Sequence, residues 1–550
     1  MTELTGFYRE RVADFLKTVV CFDDQAYEDT FGNCSVIKAA ARVPDGFSAD
    51  EGDADTHGDA PEVVGCVSDT SSSGFEAKDI TDAFAEMNIL CSVIKPHTDG
   101  ELARPQIEKL ARTADVAIVD WVLKDSQGCN DTSIAREAIV NIVKHDEERG
   151  GCLRLIVIYS DEKGEQVIGE LADLLSDNGF ERVPGTLELQ NAHTLIVFLQ
   201  KAGLSAVGVE YKDLPGRVVD SFTRLTSGLL PAAALAAISV IRQQSHHLLA
   251  TFPATLDGAF LTHRCLIADP HDAEQFLLDL FEGEIGSLLA HSKKMTEAVD
   301  EIRCAAWVEK NDFFDTAQKK RLKKSLTKYS RAKIDGLRDL FDKNDLPENA
   351  VAEEVLKLFY GAISDPKTIA RVKEDFSILS TLDVHRRWIT TFNRNLPRLR
   401  LGSVVRETDS GRFLLCVQPL CDSTRIKHNR STIFPFLLLA TPPEPKDLDL
   451  CIPDEDEESG VVWLSISPKP QCLISYQLRG KSASEAYVVA KDMGNQKDYA
   501  FQTSDGKCLE WMADLKIGKA QRIASQLAAR IHTLGIDEFE WLRLQGPRTS

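Results

Sequence analysis

The chain has no apolar run long enough to cross a bilayer. Its longest, Gly228 to Ile241, falls short of the roughly 20 residues a spanning helix needs and contains Pro231. A membrane partner is therefore not expected. Positive charge is also scarce: 64 Lys and Arg stand against 85 Asp and Glu, a formal net charge of -21. That balance argues against a general nucleic-acid binder, whose electrostatic footprint is basic. The local exception, Lys319, Lys320, Arg321, Lys323, Lys324, Lys328, Arg331 and Lys333, reads as the solvated face of a predicted helix. The 13 cysteines include no paired CxxC knuckles, and Cys416, Cys421 and His428 lack zinc spacing and a fourth ligand. The cysteines lie mostly in apolar runs, as Cys21, Cys91 and Cys152 do, and no leader with a basic start and apolar centre precedes them. They are expected to be buried thiols in a reducing cytoplasm. The P-loop, the nucleophile elbow, the metalloprotease helix and the glycine-rich nucleotide motifs of a histidine kinase are all missing. His246 and His247, flanked by Gln243, Gln244, Ser245, Leu248 and Leu249, read as ordinary helix surface rather than a phosphotransfer site. No enzyme is expected, with the C-terminal region left open.

What is present points to several domains. At 550 residues, 43% apolar and 27% charged, the chain has room for about three or four of ordinary size. Ala41 to Ala77 is rich in Gly, Asp, Ser and Pro, so residues of about 43–75 cannot bury enough apolar surface to offset the entropy of ordering and are expected to form a disordered insertion. Around it, apolar runs alternate with helical periodicity. Strands are predicted at Thr18–Phe22, Ile89–Ile94, Asp115–Asp120, Leu153–Ser160 and Thr194–Leu199, with helices near Ile80–Asn88, Gly100–Thr113, Ser133–Glu148 and Glu165–Leu175. Continuous apolar strands of this kind are buried on both faces of a parallel sheet, so the N-terminal domain, residues 1–230, is expected to be α/β. Its predicted architecture is a five-stranded, doubly wound sheet of flavodoxin-like type. From Leu214 to about Leu382 the periodicity is helical, with six to eight segments and a helical domain at 231–397. A mainly β domain with a C-terminal helix, Lys519 to Leu534, occupies 398–550.

The strand ends carry the chemistry. Sites in parallel α/β sheets lie at the carboxyl ends of strands. There the first strand ends in Asp23-Asp24, the third in Asp120 and the fourth in Ser160, while Lys201 follows the fifth. Three carboxylates at one edge suit a divalent cation, and an all-oxygen donor set makes magnesium the expected one. A carboxylate that accepts a phosphoryl group needs that cation as well as hydroxyl and ammonium partners for the phosphoryl oxygens.

With these residues in this order, and with Gly128 eight positions after Asp120 and Phe198 three before Lys201, residues of about 14–230 resemble the receiver domain of two-component response regulators. The resemblance implies that Asp120 is the phosphoacceptor and that Asp23, Asp24, Asp120 and the Val122 carbonyl hold magnesium. It implies that Ser160 and Lys201 bind the phosphoryl group and that Phe198 is a switching aromatic. Lys124 and Ala202 depart from the family pattern, which has proline at both positions. The whole chain resembles receiver proteins of bacterial anti-phage two-component systems, and within those the phosphate-buffering component of the Detocs system. A cytoplasmic phosphate sink or regulator is implied, phosphorylated by a sensor histidine kinase. A second, effector response regulator and a homodimer are compatible partners. Two alternatives stay open: a regulator whose C-terminal region is an effector enzyme of unrecognised chemistry, and a pseudo-receiver scaffold that never takes phosphate.

Overall fold

A computed structural model describes residues 3–26, 77–202, 208–267, 271–311, 315–328, 348–360, 366–384, 396–424, 426–441, 448–454, 460–482, 486–494 and 499–532. The predicted insertion at about 43–75 lies outside them, as do Arg331 and Lys333 of the basic stretch. Two compact units are present. The first comprises Met1–Glu147, Gly151–Arg242 and Lys293–Ala298.

In this unit α1 (Glu3–Phe15) precedes β1 (Thr18–Phe22), and α2 (Ala77–Glu86), β2 (Leu90–Ile94), α3 (Gly100–Ala111) and β3 (Val116–Val119) follow. A short hairpin, β4 (Leu123–Lys124) and β5 (Asn130–Asp131), leads into α4 (Ser133–Glu148), β6 (Arg154–Ser160) and α5 (Gly164–Leu174). Then come β7 (Glu181–Arg182), β8 (Glu188–Gln190), β9 (Thr194–Gln200), α6 (Leu214–Leu225) and α7 (Leu229–Ala250). Five strands pair in parallel in the order β2-β1-β3-β6-β9. Alternation of side chains along each strand builds two cores from one sheet. Val20, Phe22, Ala117, Val119, Ile156, Ile158, Ile196 and Phe198 pack on one face, under residues of α3, α4 and α5. Val19, Cys21, Val116, Ile118, Leu155, Val157, Leu195 and Val197 pack on the other, with Ile80 and Phe84 of α2 and Val218 and Phe222 of α6.

The sheet has seven strands, not the expected five. β7 and β8 turn back through Gly185, at φ 75, and β8 pairs antiparallel with β9, covering what would otherwise be an open edge. Strands of two and three residues are too short to leave a periodicity in the sequence. Helix α1 was also not expected, although its Leu4, Phe7, Tyr8 and Val12 are buried.

Buried charges are paired at the opposite, amino end of the sheet. The Asp115 carboxylate accepts from the backbone N–H groups of Lys17 at 2.9 Å and Thr18 at 3.1 Å, and from Arg242 Nη2 at 2.8 Å. Asp146 and Arg154, both buried, form a bidentate pair, and Arg154 Nη1 also donates to Ala111 O at 2.8 Å. Arg154→Ala would leave Asp146 as an uncompensated buried charge, so this unit is expected to lose about 3 to 5 kcal/mol. Urea titration of the intact chain, followed by hydrogen exchange of β6, measures the loss; an unchanged midpoint would contradict it.

The second unit contains the later helices and an antiparallel sheet. Between Leu214 and Thr381 the described residues form nine α-helices rather than six to eight, because breaks at 291–292 and 298–300 cut the periodic stretch into short pieces. Leu261, Leu266, Phe276 and Leu278 on helices Asp257–Leu266 and His271–Ala290 are exposed, so apolar periodicity there does not mark a buried face. His246 and His247 are also exposed. The sheet has nine strands, β10 (Ser403–Glu407), β11 (Phe413–Cys416), β12 (Thr432–Ala440), β13 (Leu450–Pro453), β14 (Val461–Ile466), β15 (Leu473–Leu478), β16 (Lys491–Asp492), β17 (Tyr499–Gln502) and β18 (Cys508–Asp514). Phe434, Phe436, Phe501 and Trp511 fill one of its faces. Helix Ile517–His532 lays Ala520, Ile523 and Leu527 on the other. Gly402, at φ 93, is required there, since a Cβ would lie 2.9 Å from Ala520 Cβ.

Cys21, Cys416 and Cys451 are buried, whereas Cys91 and Cys152 are only partly so and Cys129, Cys265 and Cys421 are exposed; the expectation of generally buried thiols is corrected accordingly. Among the described residues no helix is long and apolar enough to cross a membrane.

Candidate functional site

Strand register brings the predicted acids together. Parallel pairing of β1 with β3 sets Phe22 against Val119, so the next residues along each strand, Asp23 and Asp120, emerge side by side. Asp120 N–H donates to Phe22 O at 2.9 Å and Asp23 N–H donates to Ile94 O at 3.1 Å, which holds both backbones to the sheet edge. On the next strands Ser160 sits opposite Gln200, and Lys201 N–H donates to Ser160 O at 3.1 Å.

The side chains converge from these positions. Asp120 Oδ1 accepts from Ser160 Oγ at 2.6 Å and from Val122 N–H at 3.3 Å. Asp120 Oδ2 accepts from Lys201 Nζ at 2.6 Å, and the same ammonium donates to Asp23 Oδ2 at 2.7 Å. Asp23 Oδ1 accepts from Gln25 N–H at 2.8 Å. Carboxylate oxygens of Asp23, Asp24 and Asp120 lie within 4.8 Å of one another, and all three residues are buried. Lys201 and Ser160 are buried beside them, at 6% and 1% exposure.

Packing like charges out of water shifts their titration. Burial pushes the Asp23 carboxyl up to about 6, and neighbouring Asp120 adds to this while Lys201 opposes it. For Lys201, burial alone would favour the neutral amine, but Asp120 and Asp23 outweigh it and hold the ammonium above its ordinary range. The donors are all hard oxygens, and the three clustered carboxylates carry more negative charge than the single buried ammonium of Lys201 offsets, so the residues present fit a divalent cation such as magnesium. No other metal-holding group of acids, histidines and cysteines occurs among the described residues.

Phe198 is buried in the core under α5. Gly164 at the head of α5 allows that close approach, because a Cβ there would meet the Phe198 ring at 2.6 Å and Leu187 at 2.7 Å. Two features escaped the sequence reading. Tyr159, next to Ser160, donates its hydroxyl to Val209 O at 2.7 Å, and its ring centroid lies 5.8 Å from Lys201 Nζ. Lys124, noted only as a departure from a family pattern, reaches Asp24, with 3.4 Å between Nζ and Oδ2. Neither contact has a signature in local spacing, because each joins segments brought together by sheet formation.

No curated protein and no solved structure matches the chain. Residues 15–206, which carry the whole acidic, hydroxyl and ammonium cluster, match the family model of the response receiver domain.

Proposed function

We propose that the chain is a phosphoacceptor of a two-component phosphorelay, with Asp120 taking the phosphoryl group from a sensor histidine kinase. The observation that carries this reading is the Asp120 carboxylate held between Ser160 Oγ and Lys201 Nζ, each at 2.6 Å, beside a second and third acid. An Asp120 oxygen forms the new bond to phosphorus as the donor's nitrogen–phosphorus bond breaks, the electron pair remaining on the imidazole nitrogen. Ser160 and Lys201 then turn from the carboxylate to the phosphoryl oxygens, a displacement of one hydrogen-bonding partner for another at the same place. Magnesium, when held by Asp23, Asp24, Asp120 and the Val122 carbonyl, offsets the negative charge of the approaching phosphoryl oxygens. Phe198 follows the rearrangement through its contact with the head of α5, four residues beyond Ser160.

The finer role we infer is that of a phosphate sink or regulator in anti-phage defence, competing with an effector response regulator for a shared kinase. Its support is the resemblance to Detocs buffering proteins and an acidic chain in which no DNA-binding module is recognised. Deleting a sink raises effector output, whereas deleting an effector abolishes it. The test of the acceptor function is incorporation of label from acetyl phosphate or from the phosphorylated kinase. A base-labile label that depends on magnesium is expected; a chain that stays unlabelled by both donors overturns the proposal.

Position 122 also bears on lifetime. The Val122 side chain has no polar group to orient a hydrolytic water two residues after the acceptor, which leaves that role to Glu162, exposed and two residues beyond Ser160. The phosphoaspartate is therefore expected to persist for minutes or longer, and decay of the isolated phosphoprotein within seconds would contradict this.

The Asp23 shift sets a pH dependence. The folded value of about 6 lies above the ordinary 3.8, so in the metal-free protein this group adds stability below pH 3.8 that is lost as pH rises through 6. A proton and a cation compete for the same oxygens, so magnesium affinity should be constant above about pH 7 and weaken progressively as pH falls through about 6. Calorimetric titration across that range measures it; a flat profile would show that Asp23 is not a ligand.

A further inference from the structure

The hairpin after Asp120 brings a second protein cation to the acid cluster. β4 and β5 pair in the register Leu123↔Asp131 and Lys124↔Asn130. The Asp125 carboxylate closes the turn, accepting from Gln127 N–H at 2.9 Å and Cys129 N–H at 2.7 Å, while Gly128 supplies the left-handed residue at φ 76. Leu123 anchors the hairpin in the core at 1% exposure. The root of Lys124 is thereby fixed, and its ammonium is set 3.4 Å from Asp24 Oδ2. Together with Lys201, at 2.7 Å from Asp23 and 2.6 Å from Asp120, each of the three clustered acids has an ammonium group beside it.

The two lysines differ in how easily they can leave. The Lys201 side chain is 8% exposed, whereas that of Lys124 is 36% exposed. A cavity of about 380 Å³, lined by Asp24, Lys95, His97, Lys124, Asp125 and Gln127 among others, lies alongside and gives the Lys124 head room to move. A divalent cation on Asp24 would stand against a like charge only a few ångströms away, and repulsion at that range in a partly buried site is large enough to expel the mobile partner.

Building on the magnesium-site reading above, we propose that Lys124 is an intramolecular counter-cation that competes with the divalent metal ion for Asp24. Metal loading then moves the Lys124 ammonium off the acidic pair and into the adjoining cavity. In the metal-free chain the lysine takes part of the metal's electrostatic place and weakens its binding.

The test is calorimetric titration of the full chain with magnesium chloride at constant ionic strength. Lys124→Met removes the charge and keeps the stem, and is expected to bind magnesium about twofold to fivefold more tightly, the scale of a partly exposed ion pair. Lys124→Arg retains the charge and should bind like the parent. In an Asp24→Asn background, Lys124→Met should no longer change the affinity, because the shared partner is gone. The metal-free thermal midpoint of Lys124→Met should fall and its rise on adding magnesium should grow. If Lys124→Met does not fold, Lys124→Gln gives the same comparison. Equal or weaker magnesium binding by the neutral variant, while the parent binds, overturns the competition and leaves the metal site standing. Absence of binding by parent and variants alike overturns the metal site and the competition with it.

Discussion

Asp120→Asn should abolish phosphoryl incorporation, by at least roughly a thousandfold, since an amide oxygen is no nucleophile toward phosphorus at neutral pH. The replacement is nearly the same shape, and the pocket can accept it. Lys201 Nζ can donate to the amide oxygen where it now donates to Oδ2, and the amide nitrogen can then donate to Ser160 Oγ, which now donates to Oδ1. Loss of label would therefore report chemistry rather than unfolding, and circular dichroism of the variant should match the parent. A second readout is independent of labelling. Asp120 contributes to the upward shift of Asp23, so removing its charge should move the pH midpoint of that group downward. If Asp120→Asn retains its label, the acceptor is another residue, with Asp23 and Asp24 the first to examine.

Lys201→Met should carry a stability loss as large as that expected for Arg154→Ala. The lysine is buried and donates to two buried carboxylates, so its removal leaves Asp23 and Asp120 without the ammonium that pairs them. Breaking a buried pair from one side costs about 3 to 5 kcal/mol, because the partner is left desolvated and uncompensated. In chelator the receiver transition should fall by that amount in urea titration. Excess magnesium should restore a good part of it, since a ligand bound only by the folded state stabilises by mass action. Lys201→Arg should rescue poorly, because a planar guanidinium cannot set one nitrogen 2.6 Å from Asp120 and 2.7 Å from Asp23 as a single ammonium does. A metal-free Lys201→Met as stable as the parent would show that these contacts do not hold the strand ends together.

Much of the N-terminal unit was legible because its physics is local and repetitive. Runs such as Arg154–Ser160 and Thr194–Gln200 are buried along most of their length, and only a strand covered on both faces has reason to be apolar at successive positions. The acids were legible because they interrupt such runs at their ends. Less visible were elements whose signal is short or nonlocal. The β7–β8 extension has five residues in two strands, too few for a period, whereas α1 buries Leu4, Phe7, Tyr8 and Val12 at ordinary helical spacing and so was legible although not predicted. The helices beyond Arg242 show the opposite failure: apolar spacing predicts a helix correctly but says nothing of what covers it, and Leu266 and Leu278 are left exposed.

By itself the sequence determined that this chain has a parallel α/β unit, followed by helical and β-rich regions, with aspartates, a serine and a lysine ending its core strands. Alternation and strand-end placement follow from backbone geometry and need no distant partner. Which strand lies beside which, that Asp23 and Asp120 share one ammonium, and that Lys124 leans on Asp24 were decided only in three dimensions. The reason is that the Asp23–Lys201 and Asp120–Lys201 contacts join residues 178 and 81 positions apart, and their strength depends on burial and distance, quantities that exist only once the sheet has formed.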